Sequence, residues 1–250
     1  MTVKAALIGL GGYGESYYLE HLLAGCDMRL ELVAGVDPHP QRCTRLEDLR
    51  ERHVAIFASL DDLYRSTTPE LVIISSPMQF HAEQTVYALE HGSQRLREKP
   101  LCTTIGQARD MQSARDKAGR LVAVGYQRSF SKTVQALKRD ILKGDFGAPL
   151  RAKLLVCWPR DRAYYGRNGW AGCITDSTGR AVYDSPLNNA TAHFLHNMLY
   201  IQGETVDTCA HPDSVKAELF RANDIENYDT AIVQARLANG STLLYITSHV

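Results

Sequence analysis

The sequence predicts an α/β protein with two domains. Residues 1–127 are expected to form a doubly wound parallel sheet, and residues 128–250 an α+β domain with a mostly antiparallel open sheet. Short apolar runs alternate with helical patterns from Lys4 to about Gly125, which is the rhythm of βαβ units. A glycine-rich turn joins the first strand to the first helix. After Gln127, strands follow one another without crossover helices, which favours antiparallel pairing.

Helix-end signals support the elements of the first domain. Ser59 and Asp62 have the spacing of a capping box before a helix. Gly25, Gly92 and Gly119 each stand where a helix is expected to end. The strands are predicted at 5–8, 30–36, 54–57, 71–75, 94–97 and 121–124, and the helices at 13–24, 40–52, 60–64, 82–91 and 105–118.

The second domain is predicted to be richer in strands. An amphipathic helix ends at Gly144, and an Asn239-Gly240 turn indicates a closing hairpin. The helices are expected at 132–143 and 189–201, the strands at 151–157, 217–221, 231–237 and 243–246, and a long loop rich in Arg, Tyr and Trp at 158–179.

The composition is that of an ordinary folded protein. Hydrophobic residues make up 44% and charged residues 22% of the chain, which excludes disordered and collagen-like classes. The formal net charge is zero, with a sequence pI of about 7.1. A charge balance of this kind produces no strong field, so neither nucleic acid nor an anionic membrane is an expected partner.

The cysteines and the lengths of the apolar runs indicate the cellular compartment of the protein. The six cysteines are scattered and include no CxxC pair, which predicts a reducing compartment rather than a disulfide scaffold: Cys26, Cys43, Cys102, Cys157, Cys173 and Cys209. No apolar run approaches the ~18 residues that a membrane span needs. Residues 1–9 lack the pattern of a signal peptide, so we expect a cytoplasmic protein.

The glycine-rich turn Gly9-Leu10-Gly11-Gly12-Tyr13-Gly14 has the GxGxxG spacing of dinucleotide-binding folds. In that motif Gly9 permits the tight turn, Gly11 lets the backbone approach a pyrophosphate, and Gly14 lets helix and strand pack closely. The N–H groups at the start of the helix would meet the phosphate charge. Gly12 and Tyr13 complete this predicted cofactor-binding loop.

Asp37 follows the second strand and lies 23 residues after Gly14. This is close to the spacing of the carboxylate that binds the adenosine ribose, and the alternative role is capping a turn before Pro38. A carboxylate here would repel a 2′-phosphate, so NAD is favoured over NADP. Arg42 nearby leaves NADP open.

Several further motifs resemble the Gfo/Idh/MocA oxidoreductase family, which includes glucose-fructose oxidoreductase and inositol dehydrogenase. The motifs are residues 72–77 (Val-Ile-Ile-Ser-Ser-Pro), His81, residues 88–92 (Ala-Leu-Glu-His-Gly), residues 98–101 (Glu-Lys-Pro-Leu) and residues 125–128 (Gly-Tyr-Gln-Arg), together with the helix containing His193. The resemblance covers nearly the whole chain. It implies a dinucleotide-binding Rossmann domain and hydride transfer between a nicotinamide and a secondary hydroxyl of a sugar, inositol or related polyol.

The resemblance also implies roles for individual residues. Lys99 is implied to contact the nicotinamide region and the substrate hydroxyl, where its charge would stabilise an alkoxide. His193, ten residues before Gly203, is implied to accept the hydroxyl proton. The family commonly has an Asp where this chain has Asn189, which leaves the division of labour open. Cofactor contacts are further implied for Ser76, Pro77, His81, Glu98 and Gln127.

Substrate-binding candidates surround the predicted helix at 189–201. Asn189, His193 and His196 would share one helix face, but two imidazoles and an amide are a poor first shell, so no metal site is predicted. We expect His196 to line the pocket or pack beneath it. The other candidates are Arg128, Tyr165, Trp170, Asp184 and Asn188. The loop at 158–179 would bind an acidic or phosphorylated sugar, or remain a solvated loop with aromatic anchors.

Two features depart from the family pattern. Arg95 and Arg97 occupy a strand that is largely apolar in the family, where buried arginines are costly. The chain also ends in an expected strand, so the second domain is predicted to be incomplete at its C-terminus.

Alternatives to the dehydrogenase remain open: a redox-neutral lyase or glycosidase that uses NAD, or a non-catalytic dinucleotide-sensing regulator of the same fold. The resemblance further implies a homodimer or homotetramer formed through the second sheet.

Overall fold

The computed structural model describes residues 2–25 and 29–250, so the prediction for Cys26 lies outside the described residues. The chain divides into two compact units, Met1–Gly125 and Tyr126–Val250. The described cysteines are free thiols. No helix in the described ranges is long and apolar enough to cross a membrane.

The first unit contains a parallel sheet. Within the described residues its strands are β1 (Val3–Ile8), β2 (Leu30–Val36), β3 (Ala55–Phe57), β4 (Leu71–Ile74), β5 (Gln94–Arg97) and β6 (Val122–Val124). Their order is β3-β2-β1-β4-β5-β6, with every neighbouring pair parallel. This is the doubly wound order whose direction reverses between β1 and β4, and it confirms the predicted fold class.

Helices connect these strands. They are α1 (Glu20–Leu23), α2 (Leu46–Glu51), α3 (Leu60–Ser66), α4 (His81–Glu90) and α5 (Ile105–Ala118). The predicted helix at 13–24 begins as a π-helical segment, Gly14–Leu19, before α1. The predicted helix at 40–52 is divided, because Cys43 adopts an extended backbone after the 3₁₀ turn Pro40–Arg42 and buries its side chain.

Helices cover the sheet on both faces. On one face, Ile8, Val36 and Ile74 pack with Leu63 of α3. On the other, a second cluster includes Leu7 and Ile73 of the sheet together with residues of α1 and α2. Burial on both faces explains why these strands are continuous apolar runs rather than alternating patterns.

The second unit contains the remaining elements. They are a 3₁₀ turn (Gln127–Phe130), α6 (Lys132–Lys143), β7 (Arg151–Cys157), α7 (Arg162–Tyr165), a π-helical turn (Pro186–Ala190), α8 (Ala192–Ile201), β8 (Pro212–Phe220), β9 (Thr230–Leu237) and β10 (Thr242–Ser248). The sheet order is β7-β10-β9-β8. Its β10–β9 and β9–β8 pairs are antiparallel and its β7–β10 pair is parallel, so the mostly antiparallel sheet is confirmed.

One face of this sheet packs against α8. Val233 and Tyr245 point to this face and join Met198 of the helix in a single apolar cluster. The side chains that alternate with them point to the opposite face, where Leu155 is 60% exposed. The sheet is therefore covered on one side only within the second unit.

A buried lysine fixes the carboxyl end of α8. The Lys138 ammonium is fully buried and donates to the carbonyl oxygens of Tyr200 (2.6 Å), Gly203 (2.5 Å) and Thr208 (3.3 Å). Helices leave their last carbonyls without intrahelical partners, and a cation is favourable at that end. A side chain at Gly203 would overlap the Thr208 carbonyl, so glycine is required at this turn.

Candidate functional site

The glycine loop packs tightly on its inner side and is open on its outer side. Gly9 has a φ of +87°, and a Cβ there would lie 2.8 Å from the Ser76 nitrogen at the end of β4. A Cβ on Gly14 would overlap the Gly9 carbonyl. A Cβ on Gly11 or Gly12 would meet nothing within 4 Å. The open side therefore fits a pyrophosphate that approaches the loop backbone.

Asp37 ties the glycine loop to the end of β2. Its Oδ2 accepts from the Leu10 N–H (2.9 Å) and its Oδ1 from the His39 N–H (2.8 Å). A carboxylate accepts more than one hydrogen bond at each oxygen, so these contacts leave capacity for ribose hydroxyls. The capping role and the predicted ribose-binding role are therefore compatible.

Tyr13 lies on the exposed side of the loop, with 44% of its surface accessible. Its ring stacks on Tyr17, with ring centroids 5.2 Å apart. The predicted loop residue is thus part of an aromatic surface at the start of the first helix.

A buried arginine and a buried histidine connect the turns after β4 and β5. The Arg97 Nη2 donates to the Pro100 carbonyl (2.5 Å) and to the His81 Nδ1 (2.6 Å). Because a guanidinium only donates, the Nδ1 is the acceptor, and the His81 Nε2–H donates to the Ser76 carbonyl (2.9 Å). Burial, followed by the Arg97 charge, lowers the pKa of His81 to about 3. The imidazole is therefore a neutral brace.

His81 is 1% exposed, so its side chain is covered by the protein and does not present a surface for a cofactor. Its Nε2–H is bonded to the Ser76 carbonyl and its Nδ1 to the Arg97 guanidinium, so neither ring nitrogen faces solvent. His81 is thus bonded to the Ser76-Pro77 turn from inside the unit.

Glu98 anchors the Lys99 backbone from inside the unit. Its Oε1 accepts from the Tyr18 hydroxyl (2.7 Å) and its Oε2 from the Lys99 N–H (3.2 Å). A Cβ on Gly125 would lie 2.9 Å from that Oε1, so the carboxylate is closely surrounded. Burial is the main cause that raises the pKa of both Glu98 and Tyr18. Tyr18 was not predicted, because nothing in the local sequence relates it to a residue 80 positions away.

The arginines of β5 bond mainly to carbonyls near the strand. Arg95, 1% exposed, donates to the carbonyls of Thr85 (3.2 Å), Gln94 (3.0 Å) and Ser93. Burial lowers the pKa of Arg95 to about 10. Arg97 adds a contact to the Met111 sulfur, 3.6 Å away. These partners bond most of the buried donors that the strand pattern left unexplained, while the Arg95 Nη2 is buried without a hydrogen-bond partner among the described residues.

His193 lies in α8 and is 8% exposed. Its ring meets the Tyr126 ring edge-on, with centroids 5.8 Å apart. The predicted proton acceptor therefore contacts the first residue of the second unit.

Asn189 precedes α8 rather than lying on it, which corrects the predicted helix at 189–201. The Pro186–Ala190 turn is π-helical and begins at Ser185, whose hydroxyl accepts from the Asn188 N–H. The regular helix starts only at Ala192, so Asn189 lies in the π-helical turn that leads into the helix carrying His193.

A buried carboxylate sets the orientation of the Asn189 amide. The Asn189 Nδ2 donates to the Asp184 Oδ1 (2.8 Å), and the Asp184 Oδ2 accepts from the Gly172 N–H (2.8 Å). Asp184 is 3% exposed. The predicted polyol contact of Asp184 therefore faces competition from two protein partners.

His196 packs beneath the Tyr126 ring, with centroids 4.0 Å apart. Its Nδ1 lies 2.8 Å from the Ser129 hydroxyl and its Nε2 lies 3.8 Å from the Cys209 sulfur. Burial lowers the pKa of His196, so it is neutral. Both ring nitrogens have protein partners.

The remaining substrate and cofactor candidates occupy varied positions. Gln127 begins the 3₁₀ turn of the second unit, and the Asn188 side chain donates to the Tyr183 carbonyl (3.3 Å). The Tyr165 hydroxyl is buried without a hydrogen-bond partner among the described residues, and burial raises its pKa to about 12. Arg128 stacks on Phe194.

The strand order, the glycine loop at its switch point and Asp37 define a dinucleotide-binding Rossmann domain. Residues 3–126 match the model of the GFO_IDH_MocA oxidoreductase family, with its NAD-binding Rossmann fold. The chain carries the NAD-binding domain of this family and belongs to it, as the sequence motifs indicated.

Named relatives agree with this assignment. The chain is 27% identical to D-glucoside 3-dehydrogenase of Escherichia coli K12, over 80% of this chain and 54% of the relative. It is 28% identical to inositol 2-dehydrogenase of Salmonella typhimurium LT2, over 80% of this chain and 56% of the relative. The chain thus spans little more than half the length of these relatives.

A solved structure extends the similarity to both units. All of this chain superposes on 68% of the WlbA dehydrogenase from Chromobacterium violaceum, with a TM-score of 0.83 and 26% identity. That protein was crystallised with NADH and UDP-GlcNAcA.

Replacing Tyr18 by Phe tests the anchor on Glu98. Losing one hydrogen bond to a buried carboxylate should lower the free energy of unfolding by roughly 1–3 kcal/mol at pH 7. Since the pKa of Glu98 is already raised, this loss should shrink as the pH falls and the carboxyl becomes protonated. Urea unfolding at several pH values measures it.

Tyr17→Phe is the matched control, because the Tyr17 hydroxyl belongs to a ring that is 38% exposed. It should change the free energy of unfolding by less than about 0.5 kcal/mol. Equal effects of the two substitutions at all pH values would contradict the anchor.

Proposed function

We propose that the protein is an NAD-dependent oxidoreductase that moves hydride between nicotinamide and a secondary hydroxyl of a sugar, inositol or related polyol. The observation that carries the proposal is the carboxyl edge of the first sheet. There the glycine loop, Asp37 and the braced turns after β4 and β5 stand at the point where the strand order reverses. The named activities of the relatives support the substrate class.

The cofactor is proposed to lie along this edge. The open side of Gly11 and Gly12 would face the pyrophosphate, with Tyr13 beside it, and Asp37 would accept from the ribose hydroxyls. A carboxylate at this position disfavours the 2′-phosphate of NADP. When bound, NAD supplies the hydride acceptor.

Further contacts to the cofactor are proposed for the turns. Ser76, Pro77 and Lys99 belong to the two turns that His81 and Arg97 brace, and Glu98 holds Lys99 by its backbone. Gln127 is also proposed to contact the cofactor. In this proposal His81 and Glu98 act by holding these turns in place.

His193 is proposed to take the proton of the substrate hydroxyl. An imidazole titrates in the range where a general base is effective at neutral pH. Asn189 is proposed as the orienting group, because its Nδ2 is held by Asp184 and its amide oxygen is thereby directed. Asn189 itself carries no negative charge, but its amide is hydrogen-bonded to the buried Asp184 carboxylate, which does.

Lys99 is proposed to stabilise the alkoxide that develops as the proton leaves. An ammonium is a compact charge that suits this task, and the Glu98 carboxylate holds the backbone N–H of the same residue. Arg128, Tyr165, Trp170, Asn188 and His196 are proposed to surround the substrate.

Substituting the two proposed catalytic side chains tests the mechanism. Lys99→Ala and His193→Ala should each lower kcat by about 10²-fold or more on any active sugar or polyol. His193→Ala should leave the Kd for NADH within about threefold, because the residue acts on the hydroxyl proton. Formation of NADH followed by absorbance gives kcat, and NADH fluorescence gives the Kd.

His211→Ala and Lys117→Ala, both exposed positions, are the matched controls and should retain full activity. Unchanged turnover in Lys99→Ala would show that the assignment is wrong. Product formed without accumulation of NADH would point to redox-neutral chemistry, and tight NADH binding without any turnover to a sensing role.

We also propose that the uncovered face of the second sheet packs against another copy of the chain. Leu155 pairs with Ile246, which pairs with Ile232, so an apolar row crosses three strands on that face. An uncovered apolar row of this kind favours association.

Sedimentation at micromolar concentration should therefore show an oligomer, and Leu155→Glu should shift it to the monomer. Leu150→Glu, just before β7, should leave the oligomer intact. A stable wild-type monomer would refute the proposed interface.

A further inference from the structure

Arginine and aromatic side chains alternate in the loop after β7. We call this arrangement the guanidinium ladder, and its members are Trp158, Arg160, Tyr164, Arg167 and Trp170. The Arg160 guanidinium lies 5.0 Å from the Trp158 ring centre and 4.7 Å from that of Tyr164. The Arg167 guanidinium lies 3.7 Å from the Tyr164 ring and 5.2 Å from the Trp170 ring. Each arginine thus contacts two aromatic rings.

The ladder reaches the residue next to the proposed proton acceptor. Trp158 meets Phe194 edge-on, with centroids 6.1 Å apart. On the same Phe194 ring, the Arg128 guanidinium lies 4.5 Å from the centroid. Because Phe194 follows His193 in α8, Arg128 contacts the ring next to the proposed proton acceptor, and Arg160 is linked to the same ring through Trp158.

Backbone hydrogen bonds hold the ladder in place. The Trp158 N–H donates to the Ser248 carbonyl and the Arg160 N–H to the His249 carbonyl, both at 2.8 Å. Asp161 caps α7 by accepting from the Tyr164 N–H (2.8 Å). The backbone of the ladder is therefore bonded to the end of β10 at Trp158 and Arg160, and Asp161 caps the short helix that follows.

The charges of the ladder are not balanced by carboxylates. In the described part of the chain, Arg128 and Arg160 have no Asp or Glu within 4.0 Å, and Arg167 reaches Asp184 only at 4.0 Å. That carboxylate already accepts from Gly172 and Asn189. The site thus retains an excess of positive charge next to α8.

Stacking uses the flat faces of the ladder guanidiniums, and one in-plane donor, the Arg167 Nη1, is bonded to the Tyr164 carbonyl (2.6 Å). An arginine that packs its flat faces against rings keeps its N–H groups in the plane, where they match the paired oxygens of a carboxylate or phosphate. The aromatic rings between the arginines offer apolar surface to the faces of a sugar ring. The combination suits a sugar that carries a negative group.

Building on the proposed function, we propose that the guanidinium ladder and Arg128 recognise an anionic substituent of the substrate, so that the substrate is an acidic sugar. A sugar carboxylate and a sugar phosphate both present two or more oxygens that share a negative charge, and either group would suit these arginines. The ladder selects the substrate, and His193 acts on its hydroxyl.

Tryptophan fluorescence tests this binding independently of turnover. The chain contains two tryptophans, and both belong to the ladder. Titration with D-glucuronate and with D-glucose 6-phosphate should change the emission at lower concentration than D-glucose does. The more effective anion identifies a carboxylate or a phosphate as the preferred group.

Substitutions of the ladder arginines test whether these side chains bind the anion. Arg160→Gln and Arg167→Gln should each weaken anion binding about tenfold or more and leave the response to D-glucose unchanged. Arg167→Lys keeps the charge but loses the planar fork, and should bind at an intermediate level. Arg139→Gln, an exposed position on α6, is the matched control and should bind as wild type does. Circular dichroism establishes that each variant is folded.

The outcomes separate this inference from the proposed function. Equal binding of D-glucose and both anions, no response to either anion, or unchanged anion binding in folded Arg160→Gln and Arg167→Gln would overturn the ladder's role. NADH formed from neutral polyols would then leave the oxidoreductase proposal standing. Anion binding lost in both variants would support the ladder, even if no compound tested reduced NAD.

Discussion

The buried guanidinium of Arg97 is the contact on which the cofactor edge depends. It joins the Pro100 carbonyl to His81, and His81 joins the Ser76 carbonyl, so one cation links the turns that follow β4 and β5. Burying a cation is costly unless its donors are bonded, and here the partners are carbonyl, imidazole and thioether groups. The cost is offset only when both turns adopt this arrangement, which makes the guanidinium a strong constraint on their geometry.

The second unit uses buried charge in a comparable way. Lys138 binds the Tyr200 carbonyl in the last turn of α8 and two carbonyls just beyond it, and Asp184 binds the Asn189 amide ahead of the same helix. The helix that carries His193 is therefore held near both ends by an ionic group with polar partners. Replacing buried charges by apolar groups of similar volume is often neutral for stability, so we interpret these contacts by the geometry they define rather than by a gain in stability.

The sequence predicted the parts of the fold that depend on local pattern. The apolar runs, the glycine spacing and the position of Asp37 after β2 follow from rules that act within a few residues or one βαβ unit, and the strand order agrees with them. The partners of Arg97 and the Tyr18–Glu98 contact were not predictable, because each joins separate elements. The π-helical turn before α8 arises from its own backbone hydrogen bonding, which a 3.6-residue period does not reveal.

In the candidate site, too, local motifs could be predicted from the sequence, whereas contacts between separate elements could not. Residue types at motif positions, such as Lys99 and His193, were identified from the resemblance, and their roles remain proposals. What the structure adds is the environment of each: the Glu98 anchor for Lys99, the Asp184–Asn189 pair near His193, and a ladder that orders the loop at 158–179. A loop rich in Arg, Tyr and Trp has no periodicity, so only its composition indicated an anionic ligand.

The most direct test of the account is the Kd for NADH in Arg97→Leu, measured by fluorescence, with Arg95→Leu as the matched control. Both residues are buried in β5, but the partners of Arg95 are the carbonyls of Thr85, Ser93 and Gln94, away from the Ser76 and Pro100 turns. If Arg97 sets the geometry of the cofactor edge, folded Arg97→Leu should bind NADH about tenfold more weakly or worse, and Arg95→Leu within about twofold of wild type. Equal NADH affinity in the two folded variants would contradict it.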